Sequence, residues 1–184
     1  MNDIIPAILP KSEEDLKEKF FALPKEVIFI HLDILEEDIW VNFDKDFEAH
    51  LMVKEPEKII SRWVERGAKR IIIHSLGSST SKFDGVEIGL AVELHIPIED
   101  ILPLVSKVDF VHLMSIDALG TQGDDFEPII FDRIKQVKER FPQVKISVDG
   151  GINTTNYQAL RDAGADRLVA GSGFKDLWKL LTKN

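Results

Sequence analysis

The sequence predicts an α/β protein that folds as a compact (β/α)8 TIM barrel, with the helices after the second and fourth strands absent or reduced. Eight short runs rich in Ile, Val and Leu recur along the 184 residues. Most are nearly continuous rather than alternating, which is typical of strands buried on both faces of a parallel sheet. Amphipathic segments lie between most of these runs, and a chain that alternates strands with helices forms a parallel sheet.

The candidate strands extend over the whole chain. They are residues 4–9, 27–33, 47–52, 70–74, 86–92, 109–114, 144–149 and 167–170. An open doubly wound sheet is the structural alternative to a closed barrel. No Gly-x-Gly-x-x-Gly motif follows the first run, however, and this disfavours the dinucleotide-binding form of the open sheet.

The candidate helices have recognisable ends. Ser12 is suited to cap the first helix, and Gly67 is suited to end the segment 55–66. The segments 35–46 and 75–85 are too short and too poor in periodic apolar residues to hold full helices. Their loss explains a chain well below the length of about 250 residues that is typical of such barrels. The candidate helices are residues 12–21, 55–66, 98–105, 127–140, 154–163 and 174–181.

Composition narrows the class of protein. With 44% hydrophobic residues the chain can bury one sizeable core, so we expect residues 1–184 to form a single domain. The net charge of -9 disfavours nucleic acid and anionic membranes as partners. Cysteine is absent, which excludes disulfides and thiolate metal ligands. We find no basic leader or long apolar stretch at the start, and we therefore expect a cytoplasmic protein without a membrane span.

Four polar residues at strand ends predict a metal site. His31 and Asp33 share one face of the second strand because they are two residues apart, while His50 and Asp149 end the third and seventh runs. Together they can hold one divalent metal, for which zinc, manganese and iron are all suitable. A carboxylate beside a metal can also accept a proton from a carbon acid.

The order of motifs along the chain resembles the ribulose-phosphate 3-epimerase family. The resemblance extends over nearly the whole sequence and is more specific than any single motif. The matching motifs are Ile5-Pro6-Ala7-Ile8-Leu9, His31-Leu32-Asp33, His50-Leu51-Met52, residues 110–115, Val148-Asp149-Gly150-Gly151 and Val169-Ala170-Gly171-Ser172.

This resemblance implies a metal-dependent enzyme that interconverts D-ribulose 5-phosphate and D-xylulose 5-phosphate. The metal ligands would be His31, Asp33, His50 and Asp149. Two of these, Asp33 and Asp149, would also be the acid/base carboxylates that move a proton through an enediolate. Met52 and Met114 match methionines that line the family's pocket. The substrate-binding residues that the resemblance implies are Gly150, Gly151, Gly171 and Ser172.

The chain departs from the family's pattern around the substrate. Ala7 stands where the family usually has serine. The segment 34–38 replaces a methionine-aspartate-glycine run, and residues 117–125 replace a proline and a glycine-rich turn after the sixth strand. We expect the added carboxylates of that loop, Asp117, Asp124 and Asp125, to repel a phosphate.

Other chemistry-bearing residues have simpler interpretations. A lone histidine in an apolar run is usually a satisfied core residue, and we interpret His74, His95 and His112 in this way. His112 shares strand parity with Met114 and could point into the barrel. Trp40, in the shortened segment after the second strand, is expected to cap the barrel rather than to cover the pocket.

Two other functions stay open. The altered loops favour a non-catalytic or relic barrel that binds a metal or a sugar phosphate. Metal-assisted hydrolysis is a third possibility, because a His/Asp site can activate water. Loss of two helices could also expose apolar barrel surface that a second copy of the chain covers, so a homo-oligomer is expected.

Overall fold

Eight parallel strands close into a barrel in which each strand pairs with the next and β8 pairs with β1. The computed structural model describes residues 4–76, 83–117 and 119–183. The predicted barrel is confirmed. The strands are β1 (Ile4–Ile8), β2 (Phe29–Ile34), β3 (Asp46–Leu51), β4 (Arg70–Ile73), β5 (Glu87–Val92), β6 (Phe110–Met114), β7 (Lys145–Asp149) and β8 (Arg167–Ala170).

Helices surround the barrel at all six predicted positions. They are α1 (Glu13–Phe21), α2 (Ile60–Glu65), α3 (Ile98–Val105), α4 (Ile130–Arg140), α5 (Tyr157–Asp162) and α6 (Phe174–Thr182). Ser12 caps α1 as predicted, because its hydroxyl accepts a hydrogen bond from the Asp15 amide at 3.1 Å. None of the helices described is long and apolar enough to cross a lipid bilayer.

Three helices, α2, α4 and α5, begin at least three residues later than the sequence predicts, and prolines explain the first two. The segment 55–66 starts as a 3-10 helix, Pro56–Lys58, before α2 begins. In the segment 127–140, the Phe131 amide donates to the Pro128 carbonyl at 3.2 Å, which is the spacing of a turn rather than of an α-helix. Proline lacks an amide hydrogen and favours the first turn, where the backbone is still irregular.

The helix after β2 is absent, as predicted. Residues 35–45 contain only bends and extended backbone, and an aromatic cluster takes the place of the helix. The Trp40 ring lies 5.5 Å from that of Trp63 and 4.9 Å from that of Phe43, and the Arg66 guanidinium lies over both tryptophans. Trp40 therefore covers the outer wall of the barrel.

The helix after β4 can be assessed only in part. Residues 74–76 and 83–86, which flank the middle of the segment 75–85, contain no helix. Residues 77–82 lie outside the described residues, and so does the part of the prediction that concerns them. The same holds for residues 1–3, on which the expectation of no leader depends, and for Ala118 in the altered loop after β6.

The barrel has an apolar outer wall, and its interior combines polar with apolar side chains. Side chains alternate along each strand, so Ile30 and Leu32 are fully buried between the strands and the helices. The intervening residues point into the barrel. Polar residues among them, His31, Glu48 and His112, are fully buried and need partners there. A small apolar cluster shares the interior with them, formed by Ile72, Ala91 and Phe110.

Candidate metal centre

Strand register brings the four predicted ligands to one end of the barrel. Asp33 of β2 pairs directly with His50 of β3, and His31 lies two residues earlier on β2. The Nε2 atom of His31 is 3.1 Å from Asp33 Oδ1 and 3.2 Å from His50 Nδ1. Asp149, at the end of β7, places Oδ2 3.7 Å from each of these two nitrogens.

The spacing of these atoms fits one metal ion. Five of the six distances among the ligand atoms of His31, His50, Asp33 and Asp149 run from 3.1 to 3.7 Å, and each of the five includes an imidazole nitrogen. Four ligands at about 2.1 Å from a tetrahedral centre are separated by about 3.4 Å. Both histidines are completely buried, and both aspartates are 9% exposed. A chelating set with these atoms could hold zinc, manganese or iron.

His31 is oriented by a buried carboxylate. Its Nδ1 atom lies 2.8 Å from Glu48 Oε1, and Glu48 Oε2 accepts a hydrogen bond from Arg70 at 2.9 Å. Arg70 in turn donates to Glu87, which also accepts from Arg167. Acidic and basic side chains therefore alternate in a connected series from the site towards the opposite end of the barrel. A carboxylate on the far nitrogen leaves Nε2 of His31 available to a metal.

Burial and neighbouring charges shift the pKa values of the site. Burial by itself would raise the pKa of Glu48, but His31 and Arg70 outweigh it and lower that pKa to about 2. Burial by itself would also raise the pKa of Asp33, but the imidazoles of His31 and His50 outweigh burial and lower that pKa. The pKa of His31 is raised well above 6.5 because Asp33 and Glu48 outweigh its burial.

The pKa of His50 shifts in the direction opposite to that of His31. Burial, together with the nearby imidazoles of His112 and His31, lowers the pKa of His50 to about 4. The imidazole is therefore neutral at pH 7, which is the state that binds a metal.

His112 is a site residue that the sequence analysis assigned to the core. It is fully buried, and its Nε2 atom lies 3.2 Å from Asp149 Oδ2. Its ring is nearly parallel to that of His31, with centroids 5.5 Å apart. Ligand atoms of His31, His50, His112 and Asp149 lie within 4.8 Å of one another. The interpretation of His112 as an ordinary core residue is wrong, and its shared parity with Met114 was the signal for the inward orientation.

The other two histidines also differ from the core interpretation. His74 follows β4 and places Nε2 2.9 Å from His50 Nε2, so it contacts the site. The His95 side chain is 71% exposed and therefore belongs to the surface. Apolar neighbours in the sequence misled both interpretations, because a residue just beyond a strand end no longer shares the burial of the strand.

A pocket above the metal centre contains the other predicted residues. Its empty space is about 490 Å³, part of it open to solvent. Asp33, His50 and Asp149 form its floor. The predicted pocket and substrate residues that line it are Met52, Met114, Gly150, Gly151, Gly171 and Ser172, together with Ala7.

The turn after β7 requires glycine. Gly150 and Gly151 have φ angles of +113° and +63°, and a Cβ atom on Gly151 would lie 2.8 Å from the Phe126 backbone. The buried Ser115 hydroxyl holds this turn, with a distance of 2.6 Å to the Gly150 carbonyl. The two glycines thus bring backbone, without side chains, to the edge of the pocket.

The loop after β6 enters the pocket differently from the expectation. Its residues Gly120–Gly123 line the pocket, whereas Asp117, Asp124 and Asp125 are not among the described residues that do. The Gln122 side chain lies against Gly171, and its Nε2 atom is 3.4 Å from the Ala7 carbonyl oxygen. The side chain that the loop places at the pocket is therefore an amide, and the repulsion of a phosphate by the loop carboxylates stays a prediction.

Comparison with known proteins gives the fold and the family separately. The tryptophan synthase A-subunit from Pyrococcus furiosus aligns with a TM-score of 0.67 at 13% identity, over 97% of this chain and 91% of that one. The 3-hexulose-6-phosphate synthase from Salmonella typhimurium gives a TM-score of 0.66 at 11% identity, over 95% and 90% of the two chains. At such identities the likeness concerns the barrel fold alone.

Relatives in sequence are proteins named ribulose-phosphate 3-epimerase. The one from Schizosaccharomyces pombe is 33% identical over 135 residues, which are 68% of this chain and 58% of the relative. The one from Chlamydia trachomatis is 34% identical over 140 residues, 69% of this chain and 60% of the relative. For Escherichia coli the identity is 30% over 140 residues, 70% and 62% of the two chains. The chain thus matches less than two thirds of the length of these relatives.

The family model confirms the resemblance noted in the sequence. The model of the ribulose-phosphate 3-epimerase family matches residues 3–175. This match includes all eight strands and every predicted ligand. The chain belongs to the ribulose-phosphate 3-epimerase family.

Proposed function

We propose that the protein is a metal-dependent sugar-phosphate 3-epimerase that interconverts D-ribulose 5-phosphate and D-xylulose 5-phosphate. The observation that carries the proposal is the pair Asp33 and Asp149. These carboxylates come from β2 and β7, both approach the same two imidazoles, and both line the pocket floor. Epimerisation needs two proton carriers on opposite faces of one carbon, and this pair supplies them.

The proton balance of the reaction follows from this arrangement. One carboxylate accepts the proton from C3, and the electron pair of the C–H bond passes into an enediolate of the substrate. The other carboxylate then donates a proton to the opposite face of C3, which inverts that centre. His31, Asp33, His50 and Asp149 would hold the divalent cation, whose positive charge stabilises the negative charge that develops on the sugar oxygens.

His112 has a supporting role in this proposal. Its Nε2 atom contacts Asp149 Oδ2, one of the oxygens that would hold the metal or move the proton. A hydrogen bond donated by His112 fixes the direction of that oxygen. The Asp149 carboxylate is thereby prepared to act before substrate binds.

The phosphate is proposed to bind at Gly150, Gly151, Gly171 and Ser172. Gly150 and Gly151 expose backbone at the pocket, and Gly171 and Ser172 lie just before the first turn of α6. Amide hydrogens at a helix start carry partial positive charge and attract phosphate oxygens. Gln122 would have to move from Gly171 or donate its amide hydrogens to the phosphate.

The test is proton NMR of D-ribulose 5-phosphate in deuterated water. The purified protein is supplied in turn with zinc, manganese and iron(II). Deuterium that enters at C3 while D-xylulose 5-phosphate accumulates supports the proposal and identifies the metal. Absence of exchange with every metal contradicts it. Inorganic phosphate and each metal are titrated separately, so that binding can be measured without turnover.

One observation favours a binding protein without catalysis as the second candidate. Gln122 covers Gly171 and reaches Ala7, so the loop after β6 fills part of the space proposed for the sugar phosphate. Such a protein would bind zinc or phosphate in the titrations and would leave the C3 proton of the substrate in place.

A further inference from the structure

His50 has an outer partner, His74, on the side that faces away from the metal centre. The Nδ1 atom of His50 faces His31 and Asp33, while its Nε2 atom faces away from the centre. That outer nitrogen lies 2.9 Å from Nε2 of His74, and Nδ1 of His74 lies 3.0 Å from Glu93 Oε1. The contacts form a continuous line from the metal centre to the partly exposed carboxylate of Glu93.

The ring geometry fits a hydrogen bond between the two imidazoles. The rings of His50 and His74 are inclined by only 13°, and their centroids are 5.1 Å apart. The distance between the centroids exceeds the 2.9 Å between the two Nε2 atoms by about twice the distance from a ring centre to a ring nitrogen. The rings therefore meet edge to edge and nearly in one plane, which directs an N–H of one at the lone pair of the other.

We infer that His74 and Glu93 are positioning residues that hold His50 with Nδ1 towards the metal, an inference that rests on the metal centre of the proposed function. A metal-bound Nδ1 must carry a lone pair, so the proton of His50 lies on Nε2 and is donated to His74. His74 then carries its own proton on Nδ1 and donates it to Glu93. This one assignment satisfies every nitrogen in the line.

The carboxylate at the end of the line is itself held in place. Arg133 of α4 donates to the backbone carbonyls of Glu93 and Leu94, at 2.9 and 3.0 Å. The Glu93 side chain is 28% exposed, and its other oxygen lies 3.5 Å from the exposed His95. Both ligand histidines thus end on a carboxylate, His31 directly on Glu48 and His50 through His74 on Glu93.

The first test determines which ring nitrogen of each histidine carries the proton, in the protein with its natural sequence. Protein labelled with 15N in histidine is loaded with zinc, and long-range 1H–15N correlation spectra assign the tautomer of each ring. We expect His50 to carry its proton on Nε2 and His74 to carry its proton on Nδ1. A zinc-bound His50 with its proton on Nδ1 overturns the inference.

The second test measures zinc affinity by competition with a chelating dye. Glu93→Ala is expected to weaken zinc binding by about tenfold, the lower end of the range for such outer partners. Glu93→Gln, which keeps an oxygen acceptor, should recover most of the loss. His95→Ala is the matched control, since it removes a neighbour of Glu93 that lies outside the line, and it should bind zinc like the natural protein.

The outcomes separate this inference from the metal centre. A natural protein that binds none of zinc, manganese and iron(II) contradicts the metal centre and the inference with it. Unchanged zinc affinity in Glu93→Ala contradicts the inference alone. Should Glu93→Ala fail to fold, the tautomers of the natural protein still decide it.

Discussion

Single residues at the metal centre were predicted unevenly by the sequence. His31, Asp33, His50 and Asp149 could be chosen because they end separate apolar runs and match a known order of motifs. His112 and Glu48 could not, because each is one polar residue inside a strand. Only the register of β2, β3 and β6 shows that they contact the ligands. Contacts across strands are not visible in the spacing along one strand.

Asp149 provides the most direct test of the proposed chemistry. Asp149→Asn keeps the size of the side chain but removes its basic carboxylate, so we expect exchange at C3 to fall by about 10²–10⁴-fold. The measurement is deuterium incorporation by NMR, with circular dichroism to verify folding. Asp132→Asn, at an exposed position of α4, is the control and should retain normal exchange. Normal exchange in Asp149→Asn would refute the mechanism.

The raised pKa of His31 predicts a proton release on metal binding. At pH 7 this imidazole keeps its second proton in the metal-free protein, since its pKa lies well above 6.5, while His50 is already neutral. Zinc must displace that proton, so about one proton should be released per ion, and affinity should rise with pH up to the pKa of His31. Calorimetry in buffers of different ionisation enthalpy counts the protons. Zero release would contradict a charged His31.

At the level of elements, the sequence predicted that the helix after β2 is missing but not what replaces it. A lack of apolar periodicity in residues 35–46 correctly excluded a helix. The aromatic cluster on the outer wall depends on contacts between Trp40 and Trp63, which are far apart in the chain. Local patterns report local structure, and the cover of a barrel wall is a long-range property.

Truncation of Trp40 should therefore reduce stability without affecting the site. The side chain is half-buried against Trp63, Phe43 and Arg66, and we expect Trp40→Ala to lower the free energy of unfolding by about 2 kcal/mol. Urea unfolding measures the change, and zinc affinity should stay constant. Ile28→Ala is the control, because Ile28 is 63% exposed. Equal effects of the two substitutions would refute the proposed cover.

The glycine turn after β7 can be tested against another glycine. Both Gly151 and Gly67 have positive φ, but a Cβ atom meets the Phe126 backbone only at Gly151. Gly67→Ala carries the conformational cost alone, about 1–2 kcal/mol. Gly151→Ala adds a steric overlap, so we expect a further loss of at least about 1 kcal/mol in urea unfolding and weaker binding of inorganic phosphate. Equal losses in both variants would show that the turn has space for a side chain.

At the level of the whole molecule, we propose self-association through the side that lacks a helix. Phe21 is largely exposed beside Val41 and Phe43, which leaves apolar surface in contact with water. Light scattering should give the mass of an oligomer of the natural chain and a smaller mass for Phe21→Asp. A monomeric natural protein at working concentration would rule out this interface.

The pairing of Asp33 with His50 would make a bound metal a reporter of correct folding. A slip of one residue between β2 and β3 would turn one of these side chains out of the barrel, and the chelating set would be lost. Only the native register can therefore bind the ion tightly. Zinc present during refolding would selectively stabilise chains in which β2 and β3 pair in the native register. It would therefore raise the yield of native protein.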